Sequence, residues 1–216
     1  MRRVFSVATA IAALFFLTAC AGMPPVQTAS ASSPDVTNVS SKAKPSSRGQ
    51  VFLIRGGLNV FSTGMDALAV KMRAKGINAR SDGHAEWKDL AAIARKNYTT
   101  NKGPIVLIGH SWGALAAVLI ADDLQKTNTP VSLIIFFDVT DPVKIPANVR
   151  RVVNIRSGTS IGLGLPVTGG AGFRGNIVPI DAPEYDHMSV DEAAPLHQLA
   201  ITEVLKVIRP SRAASR

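Results

Sequence analysis

The chain has 216 residues, with 24 lysines and arginines against 15 aspartates and glutamates, a formal net charge of +9. Its single cysteine excludes any disulfide within the chain. No zinc-finger spacing, basic helix or interleaved aromatic and basic platform is present, so no nucleic-acid partner is expected, and the positive balance reads as a solvated basic surface or an attraction to anionic lipid phosphates.

Met1-Arg2-Arg3 precedes an apolar stretch from Val4 to Leu17, which breaks at Leu17-Thr18-Ala19-Cys20. A positive start, an apolar core too short to span a bilayer comfortably and small residues before the break predict a secretory signal peptide over residues 1–19. The break itself resembles the lipobox of bacterial lipoproteins. That resemblance implies lipidation of the Cys20 thiol, cleavage before it and a membrane anchor. Ala21 follows the cysteine where an acidic residue would signal inner-membrane retention, so the resemblance favours the outer membrane, facing the periplasm. Residues 20–49 are mostly Ser, Pro, Ala, Thr and Lys with almost no large apolar residue, too few apolar groups to offset the entropy of ordering, and predict a flexible linker. Residues 211–216 form a small basic tail, which leaves one domain over 50–210.

Within that domain, Val51 to Ile54 reads as a short strand ended by Arg55-Gly56-Gly57. A helix is expected over 64–75, capped by Ser62 or Thr63, with Met65, Leu68, Ala69 and Met72 on one face and Gly76 stopping it. A second short strand follows at 77–80 and a helix at 85–98. The apolar run 104–108 predicts a strand, and a helix runs from there to about Gln125. Val131 to Phe137 is almost wholly apolar, as expected of a strand covered on both faces. Further strands are expected at 151–155 and 177–180, separated by a glycine-rich loop over 158–175, and a last helix at 190–208. Strands alternating with helices predict a mostly parallel sheet with helices on both faces.

Between the strand at 104–108 and the helix after it stands Gly109-His110-Ser111-Trp112-Gly113. A Gly-x-Ser-x-Gly turn from strand to helix is a nucleophile elbow: it holds the serine in a strained backbone conformation and presents its hydroxyl at the carboxyl end of a parallel sheet. With this motif, the order of elements resembles the α/β-hydrolase superfamily over nearly all of residues 50–209. The two strands that usually begin the fold are lacking, since the chain before Gln50 is linker. The fold class implied is α/β, a minimal α/β-hydrolase without a cap domain, like small lipases and cutinases.

A serine hydroxyl needs a histidine as base. Of four histidines, His110 adjoins Ser111 and is expected to point away in a packing role, His197 lies inside the last helix on its flank, and His84 precedes a helix as a loop or capping residue. His187 lies between the last strand and the last helix, where hydrolases of this type carry their histidine, and is the candidate base. The histidine in turn needs a carboxylate. The strand ending near Arg156 is followed by Ser157-Gly158-Thr159-Ser160 and no acid, whereas Asp138 ends the preceding strand and Asp141 lies just beyond it. Polyketide and fatty-acid synthase thioesterases resemble this arrangement, which makes Asp138 the preferred acid and Asp141 the alternative. The oxyanion donors are expected to be the backbone N–H of Trp112 and that of Leu58 or Gly57. Arg55 is either a contact for a substrate carboxylate or an ordinary surface arginine. The resemblance implies a serine hydrolase of carboxylic esters or thioesters, with no metal or cofactor. An acyltransferase or peptidase on the same triad, or a noncatalytic lipoprotein binding module, are the rival readings.

Overall fold

The computed structural model describes residues 48–57, 62–159, 165 and 167–208. The signal peptide, Cys20, the linker to residue 47, Leu58, most of the stretch 160–166 and the basic tail lie outside the described residues.

Six strands form one sheet: β1 (Gln50–Arg55), β2 (Ala79–Gly83), β3 (Ile105–His110), β4 (Leu133–Phe137), β6 (Arg151–Thr159) and β8 (Asn176–Asp186). Their spatial order is β2-β1-β3-β4-β6-β8, and every neighbouring pair is parallel. Among the described residues, α1 (Thr63–Ala74), α2 (Trp87–Asn101) and α3 (Trp112–Gln125) connect the first four of them in sequence, and α4 (Ala194–Val207) follows the last. Side chains of the central strands alternate between two cores, as the twofold period of a strand requires. Val51, Leu53, Val106, Ile108, Ile135 and Phe137 pack against α1 and α4. Phe52, Ile54, Leu107, Ile134 and Phe136 pack against α2 and α3 on the other face. Because both faces are covered, β3 and β4 are buried at every residue, which is why their sequences read as unbroken apolar runs.

Some expectations shift. The second strand lies at Ala79–Gly83 rather than 77–80, because its register follows β1 (Val51 opposite Ala79) and Ile77 is spent packing beneath α1. Strands β6 and β8 run well past the apolar cores read from sequence, extending their pairing through Ser157 opposite Ala182. A two-residue pair, β5 (Lys144–Ile145) with β7 (Thr168–Gly169), forms a separate small sheet, its second strand inside the stretch expected to be a glycine-rich loop. His197 is not on a flank but 1% exposed; its Nε2–H donates to the Asp191 carbonyl at 2.5 Å and its Nδ1 accepts from Lys71 at 2.8 Å. No helix among the described residues is long and apolar enough to cross a membrane.

Candidate active site

The elbow is built by close approach of backbones. A Cβ on Gly109 would lie 2.3 Å from the Gly113 carbonyl oxygen, and one on Gly113 would lie 2.1 Å from that of Ile54. Both glycines are therefore needed for α3 to start hard against β1 and β3. Ser111, pinned by its N–H to the Phe137 carbonyl at 3.2 Å, takes φ 56° and ψ −125°. A non-glycine residue there is strained, and the packed strands on both sides are what hold it. The hydroxyl of Ser111 thereby leaves the sheet at the carboxyl end of β3.

Asp138 follows the last residue of β4, also at positive φ (55°). Its N–H is held by the Ile155 carbonyl at 2.9 Å, and its carboxylate is fully buried. His187 follows the last residue of β8. Its Nδ1 is 2.7 Å from Asp138 Oδ2, and its Nε2 is 3.2 Å from Ser111 Oγ. A carboxylate can only accept, so the Asp138 contact places the ring proton on Nδ1 and leaves the Nε2 lone pair facing the serine. The Ser157 N–H and hydroxyl also donate to Asp138, at 3.0 and 2.8 Å. Burial pushes the Asp138 carboxyl up, but the hydrogen bonds from His187 and Ser157 outweigh it and hold the acid below its ordinary value. Asp141 takes no part in this chain: it is exposed and accepts from the Thr140 hydroxyl at 3.0 Å. Asp186, beside His187, accepts from the Met188 and Ser189 amides at 3.0 and 2.8 Å and so shapes the turn that carries the histidine.

His110 points away from the serine hydroxyl into a buried network. Its Nε2–H donates to the His187 carbonyl at 2.9 Å, and its Nδ1 accepts from the Ser62 hydroxyl at 2.8 Å. The Ser62 oxygen accepts in turn from the Gly56 N–H at 2.9 Å. Ser62 therefore does not cap α1, whose N-terminus has no side-chain cap bond; its hydroxyl ties the loop after β1 to the elbow and to the His187 turn. Burial, then the neighbouring His187, push the His110 pKa down to about 4. Asp191 lies 3.9 Å from His110 Nδ1. It is fully buried, and neither carboxyl oxygen has a hydrogen-bond partner. Burial, then the charge of Glu192, raise its pKa to about 7. The approach is thus no ion pair: between pH about 4 and about 7 both groups are neutral.

A cavity of about 410 Å³ opens over Ser111 and His187, lined also by Gly57, Ser62, His110, Trp112 and Met188. Trp112 is the first residue of α3, so its N–H has no partner within the helix. Trp112 and Gly57 both line the cavity that holds the Ser111 hydroxyl, while the Leu58 alternative is outside the described residues. His84 donates from Nδ1 to the Gly56 carbonyl at 3.0 Å, and its ring meets the edge of Trp112 with centroids 5.5 Å apart. Arg55 is committed to Asp66, its Nη1 within 2.9 and 3.1 Å of the two carboxylate oxygens. Among the described residues no group of three or more histidine, cysteine or acidic side chains is arranged to hold a metal ion. Sequence reasoning missed Ser62, Ser157 and Asp191. Ser157 had a signal, since it stands at the strand end where an acid is often found and here serves the acid from the neighbouring strand.

A parallel sheet in this order, with the serine elbow after its third strand in sequence, a carboxylate after β4 and a histidine after β8, has the α/β-hydrolase fold. No family model matches the chain, and no curated protein does. Among solved structures it is similar to a protein of the alpha/beta hydrolase superfamily from Xanthomonas campestris pv. campestris, at 18% identity over 73% of this chain and 98% of that one, with a TM-score of 0.47. It is similar also to YbtT, the type II thioesterase of the yersiniabactin NRPS/PKS pathway, at 11% identity, 76% and 94% coverage and a TM-score of 0.42. A YdeN-like protein from Pectobacterium atrosepticum matches at 15% identity, 74% and 90% coverage and a TM-score of 0.42. These are likenesses of architecture; the chemistry of this chain rests on its own residues.

Proposed function

We propose that the protein is a serine hydrolase that cleaves carboxylic esters or thioesters through an acyl-enzyme. The observation that carries this reading is the continuous chain from Ser111 Oγ through both nitrogens of His187 to the buried Asp138, set at the floor of an open cavity. His187 Nε2 takes the Ser111 proton as the oxygen attacks the carbonyl carbon. Asp138 holds the reactive tautomer and stabilises the imidazolium that forms. The carbonyl oxygen becomes an oxyanion, received by the Trp112 N–H and a second amide from the loop that Gly57 begins. His187 then gives its proton to the leaving oxygen or sulfur, and a water activated by the same nitrogen cleaves the acyl-serine. The lipid anchor expected at Cys20 would put this chemistry in the bacterial cell envelope.

The test is labelling by a fluorophosphonate together with turnover of p-nitrophenyl acetate. Wild type should do both, and Ser111→Ala should do neither while keeping its melting temperature. A folded wild-type protein that takes no label would leave the binding-module reading in its place. Replacing Cys20 with serine should abolish metabolic labelling by a fatty acid; undiminished labelling would remove the lipoprotein expectation.

A further inference from the structure

Trp112 does more than carry an amide. Its side chain lines the cavity above Ser111 and also a second cavity, of about 310 Å³. The second is a groove between the start of α2 and the exposed side of α3, lined by His84, Trp87, Leu115, Ala116, Leu119 and, from the loop after β4, Asp141. The indole stands between the two cavities. A Cβ on Gly57, in the first cavity, would lie 3.3 Å from the ring, and His84, in the second, meets it edge-on.

Two observations say what the groove takes. Five large apolar side chains are exposed among the described residues, and three of them border these cavities: Trp112 (51% exposed), Met188 (49%) and Leu115 (39%). Apolar surface gathered at a cleft, rather than scattered, marks a binding surface. The second observation is charge. Among the described residues no lysine or arginine lines either cavity, and the one charged side chain there is the carboxylate of Asp141. A carboxylate or phosphate drawn into the groove would be desolvated without a counter-ion. An alkyl chain instead gains about fourfold in binding for each methylene it buries.

We infer that the groove binds the uncharged apolar chain of the substrate, which passes over the Trp112 indole from the carbonyl at Ser111 and ends towards Asp141. The substrates are thus esters or thioesters of long unsubstituted chains, and Leu119 and Asp141 set chain length and chain-end charge. This rests on the hydrolase reading above. The chain can belong to the acyl group or to the alcohol, and the two are separated by the substrates used.

The experiment uses the purified full-length protein with p-nitrophenyl esters from acetate to decanoate, and in parallel with acetates of alcohols of rising length. In one of the two series kcat/KM should climb at least tenfold from the shortest member to the eight-carbon chain. Leu119→Trp, which fills the groove, should cut the eight-carbon substrate at least tenfold and leave the shortest within twofold. Asp141→Lys should raise kcat/KM at least tenfold for the carboxylate-ended member of whichever series climbs (the suberate monoester for acyl chains, the acetate of 8-hydroxyoctanoate for alcohol chains), relative to its uncharged eight-carbon counterpart. If Leu119→Trp melts early, Asp141→Lys and the wild-type length series decide alone. Flat length dependence in both series, loss by Leu119→Trp that is equal at all lengths, or no relative gain with the carboxylate-ended substrate of the climbing series would overturn the groove. In those cases Ser111 still takes the fluorophosphonate and acetate is still cleaved, so the hydrolase reading stands. A wild type that neither labels nor cleaves acetate removes both.

Discussion

Among the described residues two histidine–aspartate pairs stand side by side, His187 with Asp138 and His110 with Asp191, and the two imidazole rings lie 4.8 Å apart. Residue types are alike and both carboxylates are fully buried, but the protonation of the two acids is opposite. Asp138 receives three hydrogen bonds, one from His187 and two from Ser157, and is held ionised. At Asp191 the backbone amides of Gly64 and of Asp191 itself favour the charge less than burial and Glu192 oppose it, and the acid stays protonated to about pH 7. Burial raises a carboxyl in both places; donors at hydrogen-bond distance decide whether that tendency wins. Each outcome suits the proposed chemistry. An ionised Asp138 supports the positive charge that His187 acquires, while a neutral His110 adds no second positive charge beside it. The mutual repulsion that lowers His110 would otherwise oppose the proton transfer from Ser111.

Substitutions that exchange the character of the two pairs test this contrast. The largest effect is expected from Asp138→Asn. The amide can donate to Nδ1 and so favour the tautomer whose Nε2 proton faces Ser111, where it cannot act as a base. Ester turnover should fall by about 10³–10⁴, as when a triad loses its carboxylate, with the fluorophosphonate reaction slowed in parallel. A loss smaller than tenfold would remove Asp138 from the role of acid.

Next is His110→Ala. It leaves the His187 carbonyl and the Ser62 hydroxyl without their partner, and with them the alignment of the histidine turn and of the Gly56 loop. A displacement of about 1 Å in such a site costs about 10²-fold in rate, so kcat for p-nitrophenyl acetate should fall by that order with KM little changed. His110→Gln, which keeps a donor and an acceptor, should recover part of the loss. A variant that is stable and fully active would show that the network only fills space. Smaller again is Asp141→Asn, expected to cost less than about tenfold in acetate turnover, since this exposed carboxylate lies in neither pair.

The contrast between the pairs also marks how far sequence reading reached. The elbow, the sheet and the three side chains that meet at Ser111 were legible because each rests on a local pattern: an apolar run, a Gly-x-Ser-x-Gly turn, an acid at a strand tip, a histidine before the last helix. The Asp138 carboxylate, rather than that of Asp141, reaches His187 because positive φ at residue 138 turns the chain just as β4 ends. Ser62, Ser157 and Asp191 were not legible, because their roles depend on partners 48, 19 and 81 positions away and on no local pattern. Ser62 illustrates the point. Before a helical run a serine reads as an N-cap, and only the approach of His110 redirects its hydroxyl. The same holds for the β5–β7 pair, two residues a side, too short for any periodicity to announce.

Asp191→Asn should affect turnover least, and its measurable effect is on stability. An acid whose pKa rises from 3.8 to about 7 on folding keeps a proton that the unfolded chain releases between those values. Raising the pH through that window therefore favours unfolding, by about 4 kcal/mol once the pH is above both values. His110 works the other way. Its pKa falls from 6.5 to about 4 on folding, so the unfolded chain binds the extra proton and stability rises with pH across that range. Between pH about 4.5 and 6.5 the two slopes nearly cancel in the wild type. Asparagine removes the acid and leaves the histidine, so the melting temperature of Asp191→Asn should climb with pH from 4.5 to 6.5 and then level. Its advantage over wild type should be small at pH 4.5 and greatest above pH 7. Thermal melts of both proteins across that range measure the difference directly. Parallel curves, separated by a constant offset, would mean that Asp191 is already ionised in the folded protein, and the opposition between the two pairs would then be lost.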